Sequence, residues 1–147
     1  MKVCIIGCGN SDRGDDAAGL LVARRLQELG IEAREHSGEA LELLEAWSQA
    51  DRVVLIDAVC TGAPAGAVSV WEGSSAPVAG EPFRCSTHAL GIAEAIALAR
   101  VLDRMPPELR IYGIEGRRFG CGARPSPEVV AAVESVAQAI ARELRSL

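Results

Sequence analysis

The chain has 147 residues, a formal net charge of −5 and 49% hydrophobic residues, and only 3% of its residues are aromatic. This length predicts a single domain over residues 1–147, with an aliphatic core large enough to fold without disulfides. The negative charge argues against nucleic acid or an anionic membrane as a partner.

The cysteines and the apolar runs exclude further classes of protein. The five cysteines are an odd number and contain no Cys-x-x-Cys pair, so they predict neither a disulfide framework nor a zinc knuckle. The apolar run after Lys2 stops at Gly7, which is too short for a signal peptide. No apolar stretch approaches the roughly 18 residues of a membrane span. We therefore expect a cytoplasmic protein with reduced thiols. We also expect it to be a monomer.

Apolar periodicity predicts the elements of the first half of the chain. Residues 3–6 form a continuous apolar run ended by glycine, which is typical of a buried parallel strand. A helix follows over residues 15–29 and ends at Gly30. Next come a polar edge strand (32–36), a helix (38–47) and the clearest buried strand of the chain (52–59).

The second half continues the alternation. The short connection TGAPAG favours an antiparallel strand at residues 67–71, and residues 74–84 are a loop. A strongly apolar helix (87–102), buried on more than one face, precedes a strand (109–114). Ser126 and Pro127 then begin a helix that runs to near Leu147, with Ser126 as its N-cap. The pattern predicts an α/β fold of three layers, a mostly parallel sheet with helices on both faces.

Three polar side chains combine at one edge of this predicted sheet. Asp16 follows the first strand, Asp57 ends the central strand, and His88 lies in the first turn of the apolar helix. The carboxyl ends of parallel strands meet at one edge, where ligands bind. Two carboxylates and an imidazole suit Mn, Fe, Ni, Co or Zn, and a helix N-terminus favours a neutral imidazole. The combination predicts a metal site with positions open for water or substrate.

Each of these residues also has a structural interpretation. Asp15 and Asp16 are typical of an N-cap and a first-turn acid, although one carboxylate suffices for a cap. Asp57 can cap the turn after its strand, and His88 can be a satisfied residue at a helix start. Because Asp16, Asp57 and His88 all fall at one predicted edge, we favour the functional interpretation over the structural one. His36 also ends a strand there, but that strand is peripheral, so we interpret it as an exposed structural residue.

Two other chemistries fit the sequence less well. A dinucleotide fingerprint needs a third glycine where Asp12 stands, and the aspartates of this segment would repel a pyrophosphate. Cys60 and Cys85 flank the predicted site, and His88 follows Cys85 by three residues. A thiolate nucleophile, however, needs a base or a cation that lowers its pKa, and Cys85 lies at a loop boundary.

Two arginines, Arg117 and Arg118, follow the last strand at the same predicted edge. They either dock an acidic or C-terminal segment of a partner or are simply solvated.

Several sequence blocks keep the order of one protein family along almost the whole chain. Together they resemble the hydrogenase maturation proteases, whose opening motif is G-x-G-N-x-x-x-x-D-[DE]-x-x-G. The blocks are GCGNSDRGDDAAG (7–19), the Ser37-Gly38 turn, LIDAV (55–59), STHALGIAEAI (86–96), YGIE (112–115) and PSPEV (125–129).

The resemblance implies a twisted five-stranded sheet with one antiparallel strand, and it implies that Asp16, Asp57 and His88 are the metal-binding and catalytic residues. It also implies a function: cleavage of the C-terminal extension from a [NiFe]-hydrogenase large-subunit precursor. Nickel already inserted in that precursor would be recognised, so the precursor supplies the metal. The chain departs from the family pattern at Ala17, often glycine, at His36, commonly acidic, and at Gly116, commonly proline.

We therefore expect a nickel-dependent processing endopeptidase. Cleavage needs a polarised carbonyl and an activated water, which either the metal or one of the carboxylates can supply. One alternative is a non-catalytic maturation chaperone or checkpoint that binds a metallated partner. Another is a Rossmann-type dinucleotide-binding protein.

Overall fold

A computed structural model describes residues 1–73 and 89–147, with only the backbone described at 89–91. The predicted loop 74–84, Cys85 and His88 lie outside the described residues. The elements follow the predicted alternation of strands and helices. They are β1 (Val3–Cys8), a 3₁₀ turn (Gly14–Ala17), α1 (Ala18–Glu28), β2 (Arg34–His36), α2 (Ala40–Ala46), β3 (Arg52–Val59), β4 (Val68–Glu72), α3 (Ala89–Val101), β5 (Glu108–Glu115) and α4 (Pro127–Arg145).

The described strands form one five-stranded sheet in the order β2-β1-β3-β5-β4. Strand β1 pairs in parallel with β2 and β3, and β3 pairs in parallel with β5. Strand β4 is antiparallel to β5. The central strand β3 is buried from Val53 to Val59, whereas the polar strand β2 lies at an edge. The predicted fold class is therefore confirmed.

Helices cover both faces of the sheet, which gives the three predicted layers. Helices α2 and α3 pack on one face, and α1 and α4 pack on the other. Side chains of β3 alternate between the two cores because successive residues of a strand point to opposite faces. Leu55 and Val59 meet α2 and α3, while Ile56 and Ala58 meet α1 and α4. None of the described helices is long and apolar enough to cross a membrane.

The first helix starts later than predicted. Residues Gly14–Ala17 form a 3₁₀ turn, and α1 begins only at Ala18. No side chain caps the turn. Arg13 stands at its N-cap position, and the carboxylate of Asp15 is bonded to Arg117 and Ser126. The predicted stop at Gly30 is confirmed by its φ of 80°, a left-handed conformation that glycine adopts without strain.

Helix α1 lies unusually close to the sheet at Gly19. A Cβ atom at this position would lie 2.2 Å from the carbonyl oxygen of Cys8 and 2.3 Å from that of Ile56. These oxygens belong to β1 and β3, whose backbones are fixed in the sheet. The sequence Gly-x-Gly followed by a later glycine therefore has a packing reason in this protein, because it lets α1 begin directly against two strands.

We expect Gly19→Ala to lower the free energy of unfolding by about 3 kcal/mol or more, because the clashing atoms are backbone atoms that cannot move away. Urea unfolding followed by circular dichroism measures this change. Gly120→Ala is the control, since nothing lies within 4 Å of a Cβ built there. Equal stability of the two variants would contradict the packing argument.

Candidate functional site

Asp16 is held against the carboxyl end of β1 by its own backbone. Its N–H donates to the carbonyl of Arg13 (3.1 Å), and its carbonyl accepts from the N–H of Asn10 (3.2 Å). Gly9 permits this approach, because a Cβ there would lie 2.4 Å from the Asp16 carbonyl oxygen. The Asp16 side chain is completely buried. The glycine turn after β1 thus folds the chain back and places this carboxylate inside the protein.

Asp57 lies in β3, opposite Gly113 of β5, and is also completely buried. Its Oδ1 accepts a hydrogen bond from the N–H of Ala58 (2.8 Å). Burial raises the pKa of the Cys8 thiol well above its usual value, and the charge of Asp57 raises it further. The parallel register of β1 and β3, which pairs Gly7 with Ile56, places Asp57 beside Cys8, the last residue of β1.

The two carboxylates occupy the same edge of the sheet, because the 3₁₀ turn that carries Asp16 contacts β3. The third predicted residue, His88, lies outside the described residues, although it directly precedes α3 in the sequence. Within residues 1–73 and 89–147, no group of three or more His, Cys, Asp or Glu side chains is arranged to hold a metal ion. Metal binding by Asp16, Asp57 and His88 therefore stays a prediction.

Asp15 has a different role from its neighbour. Its Oδ2 accepts hydrogen bonds from the N–H groups of Arg117 (2.7 Å) and Arg118 (2.9 Å) and from the hydroxyl of Ser126 (2.7 Å). Its Oδ1 accepts from the N–H of Ser126 (2.5 Å). The N–H of Asp15 in turn donates to the carbonyl of Arg118 (2.7 Å). Asp15 therefore ties the loop between β5 and α4 to the turn that carries Asp16.

This network corrects the prediction for Ser126. The residue stands at the N-cap position of α4, but its hydroxyl makes no cap bond and donates to Asp15 instead. The spacing of the chain could not reveal this contact, which joins residues 111 positions apart. The one available signal was the second aspartate of the pair, since one carboxylate suffices for a cap.

The hydrogen bonds to Asp15 also set its protonation. Burial by itself would raise the pKa of this carboxyl, but the donors of Ser126, Arg117 and Arg118 outweigh burial and lower the pKa below its usual value. The side chain is therefore ionised at neutral pH, and its charge strengthens each of these hydrogen bonds.

Glu115, which no sequence pattern singled out as a site residue, fixes the loop after β3. Glu115, at the end of β5, is almost completely buried. Both of its carboxylate oxygens accept from the N–H of Thr61 (3.0 Å each), and Oε1 also accepts from the Thr61 hydroxyl (2.6 Å). The Thr61–Glu115 contact holds the chain in place four residues beyond Asp57.

His36 is half-buried, not exposed as predicted, because its ring is engaged in the turn after β2. Its Nδ1 accepts a hydrogen bond from the N–H of Gly38 (2.9 Å), and its Nε2 lies 3.6 Å from Oε2 of Glu42. The imidazole therefore fixes the Ser37-Gly38 turn, which supports the predicted structural role.

Gly116 stands where the family that the sequence resembles commonly has proline. Its surroundings favour glycine over proline at this position. Its N–H donates to the carbonyl of Val59 (3.1 Å), which a proline could not do. A Cβ at this position would lie 2.5 Å from the ring of Phe119 and 2.9 Å from the Cβ of Asp15. The departure from the family pattern is thus matched by the packing of Phe119.

The expectation of reduced thiols is wrong for one of the cysteines that the structure describes. Cys4, Cys8 and Cys121 are free, but Cys60 is disulfide-bonded. Cys4 and Cys8 are buried in the core. Burial raises the pKa of both thiols, so neither is a thiolate nucleophile at neutral pH. A disulfide-bonded Cys60 is likewise unavailable as a nucleophile.

Comparison with known proteins gives consistent matches. A family model described as hydrogenase maturation protease matches residues 37–143. The chain is 26% identical, over 151 aligned positions, to the hydrogenase expression/formation protein HupD of Thiocapsa roseopersicina, with 93% of this chain and 68% of that protein covered. It is 23% identical to the hydrogenase 2 maturation protease of Escherichia coli K12, with 99% and 92% covered. The chain spans only 57% and 58% of the length of two further curated relatives.

Among solved structures, the chain superposes on the [NiFe] hydrogenase maturation protease HybD from Thermococcus kodakarensis with a TM-score of 0.77. The two sequences are 29% identical, and the superposition covers 98% of this chain and 99% of that one. The shared fold therefore extends over the whole described sheet and its helices.

We expect Asp15→Asn to lower the free energy of unfolding at pH 7 by about 2–4 kcal/mol, because an amide cannot accept from all these buried donors. The control is Asp12→Asn, which replaces an exposed aspartate of the same motif and should change stability little.

The stabilisation by Asp15 should also depend on pH. Since folding lowers the pKa of Asp15, its contribution to stability is present above the unfolded-state pKa and is lost as the pH falls through the folded-state pKa. Urea unfolding at a series of acidic pH values should thus show that the difference in free energy of unfolding between wild type and Asp15→Asn shrinks as the pH falls. A difference that is independent of pH would contradict this assignment.

Proposed function

Because the chain belongs to the hydrogenase maturation protease family, we propose that it is a processing endopeptidase. Its substrate is a nickel-loaded [NiFe]-hydrogenase large-subunit precursor, from which it removes the C-terminal extension. The observation that carries the proposal is the pair of completely buried carboxylates, Asp16 and Asp57, at the edge of the sheet where α/β proteins bind ligands.

The nickel of the precursor is part of the substrate in this proposal, and Asp16, Asp57 and His88 bind it. Carboxylate oxygens and an imidazole nitrogen are suitable ligands for nickel. Both carboxylates are completely buried at the edge of the sheet where α/β proteins bind ligands, which supports their assignment as ligands. His88 enters the proposal from the sequence pattern alone.

Cleavage of the peptide needs a polarised carbonyl and an activated water. Nickel held at this edge would orient the scissile peptide beside the two carboxylates. Either the metal or one of the carboxylates then supplies the activation. Backbone contacts hold the framework around the site, since Gly9 packs against the Asp16 carbonyl and Thr61 is bonded to Glu115 beyond Asp57. A framework held in this way favours a fixed orientation of the reacting groups.

The dinucleotide alternative receives no support from the glycine motif. The spaces beside Gly9 and Gly19 are filled by backbone carbonyls of the protein itself. A pyrophosphate would need backbone N–H groups exposed at this turn. The N–H of Gly9 instead donates to the carbonyl of His36, and that of Asn10 donates to the carbonyl of Asp16.

We expect the purified protein to shorten the nickel-loaded large-subunit precursor of the same organism, seen by mass spectrometry as loss of a C-terminal peptide. The variants Asp16→Asn, Asp57→Asn and His88→Ala should each slow this cleavage by roughly 10- to 100-fold or more, since loss of a residue that only orients a metal ligand already costs that much. Nickel-free precursor should remain uncut.

Asp103→Asn is the matched control, because Asp103 is exposed at the opposite end of α3 and has a φ of 54°, which asparagine also tolerates. It should cleave at the wild-type rate. Folding of each variant is checked by circular dichroism. A stable complex with an intact extension would identify a non-catalytic checkpoint, and cleavage by all three site variants at the control rate would overturn the assignment of these residues.

A further inference from the structure

The loop between β5 and α4 is strongly basic in an acidic protein. Residues 116–126, the basic loop, contain Arg117, Arg118 and Arg124 and no acidic residue. The chain as a whole carries a net charge of −5. Because the loop directly follows the carboxyl end of β5, its positive charge lies at the same edge of the sheet as Asp16 and Asp57.

The backbone of the basic loop is fixed to the turn that carries Asp16. Besides the hydrogen bonds to Asp15, the N–H of Gly122 donates to the carbonyl of Asp12 (2.7 Å). The Nε of Arg13 donates to the carbonyl of Phe119 (3.1 Å). A surface that is ordered before binding loses less conformational entropy when a partner docks. These hydrogen bonds therefore hold the backbone of the basic loop in one position before a partner binds.

The arginine side chains of this fixed loop face solvent. Arg117, Arg118 and Arg124 are all exposed. Arg117 pairs with the exposed Glu128 at 3.3 Å. Arg118 and Arg124 make no ion pair with any described residue. Arg118 and Arg124 thus give the loop two positive charges that no described acidic side chain pairs with, and a ligand that bears carboxylates can pair with them. Arginine also binds carboxylates through two parallel hydrogen bonds.

We propose that the basic loop docks an acidic segment of the polypeptide substrate and so aligns the chain to be cut beside Asp16. This inference rests on the proposed function for the identity of the substrate. A polypeptide is favoured over nucleic acid because the protein is acidic overall and because the one aromatic side chain of the loop, Phe119, is half-buried and packed on Gly116. Nucleic-acid surfaces combine positive charge with aromatic side chains that are free to stack.

The test compares two double variants of equal charge in the precursor-cleavage assay. Arg118→Gln with Arg124→Gln should raise KM by roughly three- to tenfold, as expected for two exposed charge contacts, with kcat nearly unchanged. Arg104→Gln with Arg145→Gln removes the same charge from exposed positions outside the loop, before β5 and in the last turn of α4, and should behave as wild type.

Raising the salt from roughly 50 to 300 mM should raise the KM of wild type more than that of the loop variant, since salt screens such contacts.

A binding measurement separates failure of this inference from failure of the proposed function. Fluorescence anisotropy with a labelled oligoglutamate peptide reports on the loop whether or not cleavage occurs. Wild type should bind it more tightly than an oligoglutamine peptide, and the loop variant should lose this preference. If wild type does not cut the precursor, the proposed function fails and this peptide assay decides the inference.

Two results would overturn the inference while leaving the protease assignment intact. The first is unchanged KM, salt dependence and peptide binding in the loop variant. The second is a single-stranded DNA oligomer that binds the loop as tightly as oligoglutamate, which would indicate a general polyanion surface.

Discussion

The buried carboxylate of Asp15 is the interaction on which the arrangement of this edge depends. It accepts hydrogen bonds from the backbone of Arg117, Arg118 and Ser126, and so joins the turn after β1 to the loop after β5. These two segments are about a hundred residues apart in the sequence. Because the carboxylate is ionised and completely buried, moving either segment would leave a buried charge without its donors, which is costly. The edge is therefore held as one unit.

The neighbouring aspartates show how environment separates residues of the same type. Asp15 is explained by the donors around it and is a structural residue. Asp16 is turned into the interior beside β3 by the backbone bonds of Asn10 and Arg13, and Asp57 reaches the same edge from the central strand. Carboxylates buried at such an edge are typical of functional sites. The structure thus supports different roles for two adjacent, chemically identical side chains.

Close packing explains the rest of the opening motif. Gly9 and Gly19 allow backbone atoms to approach where any side chain would collide with a carbonyl oxygen. The glycines commonly associated with nucleotide binding here bring a helix against two strands and turn Asp16 inward. Gly116 is packed in the same way, because the ring of Phe119 occupies the space that a side chain at this position would need. Small residues at this edge therefore serve to shape the site.

The sequence by itself determined the order of the elements, the central place of β3, the antiparallel strand β4 and the placing of Asp16 and Asp57 at one edge. Apolar periodicity and strand order suffice for these, because they follow from local burial and from the rules of parallel sheets. Only the tertiary structure decided the partners of Asp15, the contact of Thr61 with Glu115 and the late start of α1. Each depends on atoms brought together from distant parts of the chain. A local sequence pattern does not determine which distant hydrogen-bond donors a buried side chain will contact.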